Sequence, residues 1–274
     1  MTAGQRIGVH VSRPTGGATA DLTIDYARAG AGAPVLLVHG NFASRQWWLE
    51  QLTDPAPGLD LIAPDLPGFV RSDPLPGAWP TSEWVDAWAD TMAEFLKALG
   101  VEQAGVVGHS LGGAVAQTLA VRHPELVTAL LLVDAAPPAG FVTPEAHFPV
   151  LSAYRTNREL LTAGLSAITP TRQPDYFPAL IDDAMGMDER NYQGNARALG
   201  EYDLSGRTAA VTVPVTVLHG GKDLLVPAAA AVATADAYPN ATLITWEDVG
   251  HSPPLEAPAA FRDLLATTFS GGTK

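Results

Sequence analysis

Gly108-His109-Ser110-Leu111-Gly112 places a serine between two glycines, each two residues away. A serine hydroxyl becomes a useful nucleophile only when a base can take its proton. The pattern alone arises often by chance, and its setting carries the information. The apolar run Ala104 to Val107 precedes it and the helical stretch Leu111 to Arg122 follows it, so it reads as a strand–turn–helix elbow. In so tight a turn, side chains two residues either side of the serine would collide, which accounts for the glycines. Ser110 then opens a helix whose free N–H groups and dipole favour a developing anion.

The base is found among seven histidines by elimination. His109 flanks the serine and points elsewhere if the elbow forms. His39 and His219 each end an apolar run before a glycine and read as backbone-positioning groups beneath the site. His10 sits in the N-terminal segment, His123 ends a helix before Pro124, and His147 lies in a Pro-rich stretch. His251 remains, in a loop between the last strand and the last helix, where open α/β sheets place their sites. A carboxylate must hold the tautomer of that base. Asp223, just after the run Val215 to Leu218, is the first choice; Asp134, which also ends a strand, is the rival. The order Ser110, Asp223, His251 suits a nucleophile elbow. An oxyanion needs two N–H donors. Leu111 supplies one and the loop after Val38 the other, with Asn41 preferred over Phe42. Phe42, His109, Phe141 and Phe148 are the candidate substrate contacts.

These residues must be carried by something. Leu22 to Ala27 alternates apolar and polar residues, as an antiparallel strand with one open face does. Val35 to Val38, Leu59 to Ala63, Ala104 to Val107, Ala129 to Val133, Val215 to Leu218 and Thr242 to Trp246 are continuous apolar runs. Such runs, stopped by Gly, Pro or Asp, are what buried parallel strands look like. Helical patterns lie between them, at Ser44 to Leu52, Glu83 to Leu99 (capped by Thr81 or Ser82), Leu111 to Arg122, Pro227 to Ala237 and Pro258 to Phe269. Alternation of this kind predicts an α/β fold with a mostly parallel sheet. Residues 137–207 break the rhythm with prolines and short helical pieces. They are expected to form a helical cap over a core of residues 1–136 and 208–274.

Composition narrows the chemistry. The chain of 274 residues has a net charge of −13, from 16 basic and 29 acidic residues, and no basic run. Nucleic acid, which needs a basic face, and an anionic membrane are excluded as partners. There is no cysteine, so disulfides, thiolate catalysis and cysteine-bound zinc are excluded. No His/Asp/Glu run has metal-ligand spacing, and Gly112-Gly113 belongs to the elbow rather than to a phosphate loop, so no metal or other cofactor is expected. Met1 to Gly8 lacks the apolar core of a secretory signal and no stretch is long enough to span a bilayer. A cytoplasmic location is expected.

Several segments together resemble the cap-bearing α/β-hydrolases, in their serine-hydrolase, carboxylesterase-like branch. They are His39-Gly40, Asp65 to Asp73, the elbow Gly108 to Gly113, Asp223 with Pro227, and Gly250-His251-Ser252-Pro253. The resemblance implies an eight-stranded sheet with an early antiparallel pair, a helical cap after the sixth strand, and Ser110, Asp223 and His251 as a triad. Val70 and Phe42 depart from the common pattern, which often has Gly at the first position and Gly or Pro at the second. Both are expected to narrow the mouth of the site. The implied activity is hydrolysis of a carboxylic ester of a small to moderate apolar substrate through an acyl-enzyme. The same triad also serves lactones, amides, C–C bonds and perhydrolysis. A serine at position 110 disfavours dehalogenase and epoxide-opening chemistry, which use a carboxylate there. A non-catalytic ligand-binding role on the same fold is the contrasting reading.

Overall fold

The computed structural model describes residues 4–269. Its eight strands are β1 (Gln5–Ser12), β2 (Thr19–Gly30), β3 (Ala33–Val38), β4 (Leu59–Pro64), β5 (Ala104–His109), β6 (Val127–Val133), β7 (Val215–Gly220) and β8 (Ala241–Trp246). They form one sheet in the order β1-β2-β4-β3-β5-β6-β7-β8. β2 is antiparallel to both β1 and β4, and the remaining neighbours are parallel. The expected eight-stranded, mostly parallel sheet is present. β1 has no counterpart in the sequence reading, because only Val9 and Val11 of this edge strand are buried, too short an apolar signal to register.

Alternate side chains of the central strands enter opposite layers, as a pleat requires. Leu36 and Val38 of β3 and Leu130 and Leu132 of β6 pack with Trp88, Phe95 and Leu119. These come from α2 (Trp84–Ala98) and α3 (Leu111–Arg122). Val35, Leu37, Leu131 and Val133 pack on the other side with Trp48, Phe261 and Leu265. That layer holds α1 (Leu49–Thr53) and α10 (Pro258–Phe269). Covered on both faces, the strands are apolar throughout, and each fully buried Leu or Val contributes about 1.5–3 kcal/mol relative to exposure. Thr81 and Ser82 do not cap α2 by side chain. They lie in a 3₁₀ turn before it, and the Thr81 hydroxyl bonds Glu201 at 2.7 Å instead.

Between β6 and β7 the chain leaves the sheet and forms α4 (Phe148–Ala153), α5 (Arg158–Ile168), α6 (Phe177–Met185) and α7 (Asn191–Glu201). α8 (Ala228–Asp236) follows β7, and α9 (Pro253–Glu256) precedes α10. Polar bonds tie the inserted segment to the core. Asp183 of α6 accepts from Ser44 Oγ at 2.6 Å, Gln46 Nε2 at 2.7 Å and Arg71 at 2.9 Å. None of the helices among the described residues is long and apolar enough to cross a membrane.

Candidate active site

Ser110 joins β5 to α3 with φ 54° and ψ −117°, a conformation that costs a non-glycine residue free energy and marks a site held by its surroundings. The glycines explain how it is held. A Cβ on Gly108 would lie 2.4 Å from Gly112 O, and one on Gly112 would lie 2.3 Å from Val38 O. Helix, elbow and β3 therefore close on one another at distances only hydrogen atoms allow. The Ser110 N–H donates to Val133 O at 3.0 Å, which fixes the turn against β6.

His251 and Asp223 meet across two loops at the same strand edge. His251 Nδ1–H donates to Asp223 Oδ2 at 2.7 Å, and both side chains are buried. Asp223 Oδ1 accepts from the N–H of Leu225 at 2.7 Å and of Val226 at 3.1 Å. Burial works against the charge of Asp223, but the bond to His251 and these two N–H groups outweigh it and hold the carboxyl below its ordinary range. Burial likewise disfavours imidazolium at His251. The bond and charge of Asp223, with Asp134 and Glu256 behind, prevail and raise its pKa above the ordinary value. Ser110 and His251 open on one cavity of about 510 Å³. No hydrogen bond joins their side chains among the described residues, a looseness common before substrate binds.

The rival acid is close by. Ligating atoms of Asp134, Asp223 and His251 all lie within 4.8 Å of one another, so groups far apart in sequence form the acidic cluster that spacing did not reveal. The pairing inside it is selective. Asp134 Oδ1 accepts from His219 Nδ1 at 2.9 Å and from the Gly220 N–H at 2.9 Å, while its Oδ2 is buried without a partner. His219 is thus paired to Asp134 rather than to backbone. His39 does position backbone: its Nε2 accepts from the Leu66 N–H at 3.0 Å and its Nδ1–H donates to Gly40 O at 2.9 Å. That arrangement keeps it neutral, and burial lowers its pKa to about 4.

The two N–H groups expected to face an oxyanion are also near the serine. A Cβ on Gly40, next to Asn41, would lie 3.0 Å from Ser110 Cβ. Neither the Asn41 nor the Leu111 N–H has an acceptor among the described residues. The Phe42 N–H is already held by Asn41 Oδ1 at 2.9 Å, which favours Asn41 over Phe42 as donor. Phe42 takes φ 52° and lines the cavity, as does Phe141.

Of the two other expected contacts, only His109 reaches the cavity. Phe148 does not line the cavity; it is buried under the Arg197 guanidinium, 4.2 Å from the ring centroid. His109 borders the cavity but is buried between Trp47, Trp48 and His251, and its Nε2–H donates to His251 O at 2.7 Å. Its part is to anchor the loop that carries His251. Val70 sits at φ 45°, which explains why glycine is common there, and it faces Gly186 rather than the cavity mouth.

Two positioning residues escaped sequence reasoning. Glu256 accepts from the N–H groups of Gly250 at 3.1 Å and Ser252 at 3.0 Å, on either side of His251, and from Thr171. Asn195 of α7 is buried and donates to Asn41 Oδ1 at 2.7 Å. No local pattern signals either contact.

Residues 35–264 match a family described as the alpha/beta hydrolase family. A 2-hydroxymuconate semialdehyde hydrolase of Pseudomonas sp. CF600 is 28% identical over 86% of this chain and 87% of its own. The structure of a thermophilic esterase from Thermogutta terrifontis superposes with a TM-score of 0.79 at 25% identity, covering 96% of this chain and 97% of that one. The enol-lactonase of Burkholderia xenovorans LB400 shares the fold, with a TM-score of 0.80 at 20% identity over 91% of this chain and 97% of its own.

Proposed function

The chain belongs to the alpha/beta hydrolase family, and within it we propose a serine hydrolase that cleaves a carboxylic ester through an acyl-enzyme on Ser110. The observation that carries the proposal is the shared cavity. Ser110 and His251 both open on it, and His251 is held from behind by a 2.7 Å bond to Asp223. His251 Nε2, unprotonated in the tautomer that Asp223 enforces, takes the Ser110 proton as Oγ attacks the acyl carbon. The carbonyl oxygen becomes an oxyanion between the N–H groups of Asn41 and Leu111. His251 then gives its proton to the departing alcohol. A water molecule repeats the sequence on the acyl-enzyme, releasing the acid and restoring Ser110. Residues 137–207 act as a cap, contributing Phe141 and neighbouring apolar side chains to the substrate cavity. The similarity to an esterase at 25% identity supports the ester reading.

The test is pre-steady-state turnover of p-nitrophenyl butyrate. An alcohol burst of one equivalent per chain is expected, and kcat should fall by at least about 10⁴-fold in Ser110→Ala. Undiminished turnover in that variant contradicts the proposal.

A further inference from the structure

The outer part of the cavity carries information that the triad does not. Among the described residues seven large apolar side chains stand exposed, and four of them, Val142, Val150, Leu224 and Leu225, border this cavity. Leu224 is 83% and Val142 is 75% exposed. They approach from two sides: Val142 and Val150 from the inserted segment, Leu224 and Leu225 from the loop just after Asp223. Inside, the path continues through Leu151, Leu165, Ile168 and Leu199; no Lys, Arg, Asp or Glu lines it, and Asn41, Thr143, His147 and Tyr154 are its polar side chains besides Ser110, His109 and His251.

A wall without Lys, Arg, Asp or Glu has two consequences. A carboxylate drawn among Leu151, Leu165, Ile168 and Leu199 would give up its water with no Lys or Arg on the lining to receive it, which is unfavourable. An aliphatic chain loses nothing there, and where it leaves the cavity it still meets apolar surface. Exposed apolar residues scattered singly need no explanation, but a cluster at the mouth of a site marks what it contacts.

Building on the serine-hydrolase reading above, we propose that the substrate is a neutral ester with an aliphatic chain long enough to reach the rim of the cavity. The chain runs from Ser110 outward and lies across Val142, Val150, Leu224 and Leu225. These four residues set chain-length preference.

The experiment compares kcat/KM for p-nitrophenyl acetate, butyrate, octanoate and dodecanoate, all in monomeric solution. The proteins are the natural chain, the double variant Val142→Ser/Leu224→Ser, and Leu243→Ser. The last replaces an exposed leucine of β8, away from the cavity. In the natural chain kcat/KM should climb by up to about fourfold per methylene as the chain is covered. In the double variant the climb should stop earlier, lowering the dodecanoate-to-acetate ratio by on the order of tenfold; Leu243→Ser should keep the ratio. An unchanged ratio in the double variant overturns the proposal. So does a p-nitrophenyl hemisuccinate hydrolysed as fast as the butyrate. So does a concentration-dependent dimer that the double variant abolishes, since the rim would then serve a second copy. In each of these cases a short-chain burst at Ser110 leaves the serine-hydrolase reading standing. Loss of that burst removes both.

Discussion

Replacing Asp223 by Asn tests the acid assignment through hydrogen-bond geometry. Asp223 Oδ1 accepts two backbone N–H groups, from Leu225 and Val226, and Oδ2 accepts His251 Nδ1–H. The amide that replaces it must choose an orientation. Turning its NH₂ toward Leu225 and Val226 leaves two N–H groups facing a donor and loses two hydrogen bonds, at roughly 1 kcal/mol for each. The oxygen therefore stays there and the NH₂ faces His251. Nδ1 must then accept, so the ring proton moves to Nε2, the nitrogen that has to receive the Ser110 proton. A wrong tautomer of this kind costs about 10⁴ in kcat, or about 5.4 kcal/mol at about 1.36 kcal/mol per decade. Asp134→Asn is the matched control. Its oxygen stays on His219 and Gly220 by the same reasoning, and the NH₂ replaces an Oδ2 that has no partner. Its loss should be less than about tenfold, because both bonds are kept and only the charge that assists them is removed. The assay is kcat for p-nitrophenyl butyrate across both variants, with far-UV circular dichroism to show that each is folded. A larger loss in Asp134→Asn than in Asp223→Asn refutes the reasoning.

Further predictions concern the surroundings of the same residues. Protonated His251 cannot accept the Ser110 proton, so kcat/KM should fall as pH drops through a pKa above the ordinary imidazole value. Asp134→Asn and Glu256→Gln each remove a negative charge that favours the imidazolium, so both should move this limb of the pH–rate profile to lower pH; unmoved limbs would show that these charges do not reach His251. Asn195→Ala frees the side chain that positions Asn41 and should lower kcat about tenfold, the worth of one hydrogen bond. A change confined to KM would assign Asn195 to substrate binding instead. Gly112→Ala drives a Cβ against Val38 O and His39 O at 2.3 and 2.5 Å. It should cost about 3 kcal/mol and lower Tm by roughly 6–12 °C; an unshifted melting curve would mean that β3 and the elbow can separate.

What was legible in the sequence followed from how local each signal is. The elbow is local: two glycines, a strand and a helix within about twenty residues, so Ser110 and its turn could be read directly. His251 and Asp223 were reachable because each follows an apolar run, and parallel strands bring such ends to one edge. Phe148 was misplaced because an aromatic residue in a Pro-rich stretch does not say which way it faces; the guanidinium of Arg197 covers it. Asn195 was invisible for a different reason. The bond from Asn195 spans 154 residues of sequence, and only the folded inserted segment brings it to Asn41. β1 escaped because an edge strand with two buried side chains has almost no pattern. Apolar periodicity reports packing, and the contacts that orient polar groups leave no period.

The central claim is that Ser110 is the nucleophile, activated by His251 and Asp223. The most direct measurement is treatment of the folded protein with a fluorophosphonate, followed by intact mass and peptide mapping. The account predicts a single adduct per chain, on Ser110, with labelling slowed in His251→Ala and absent in Ser110→Ala. No adduct on the folded chain, or an adduct on any other residue, would contradict it.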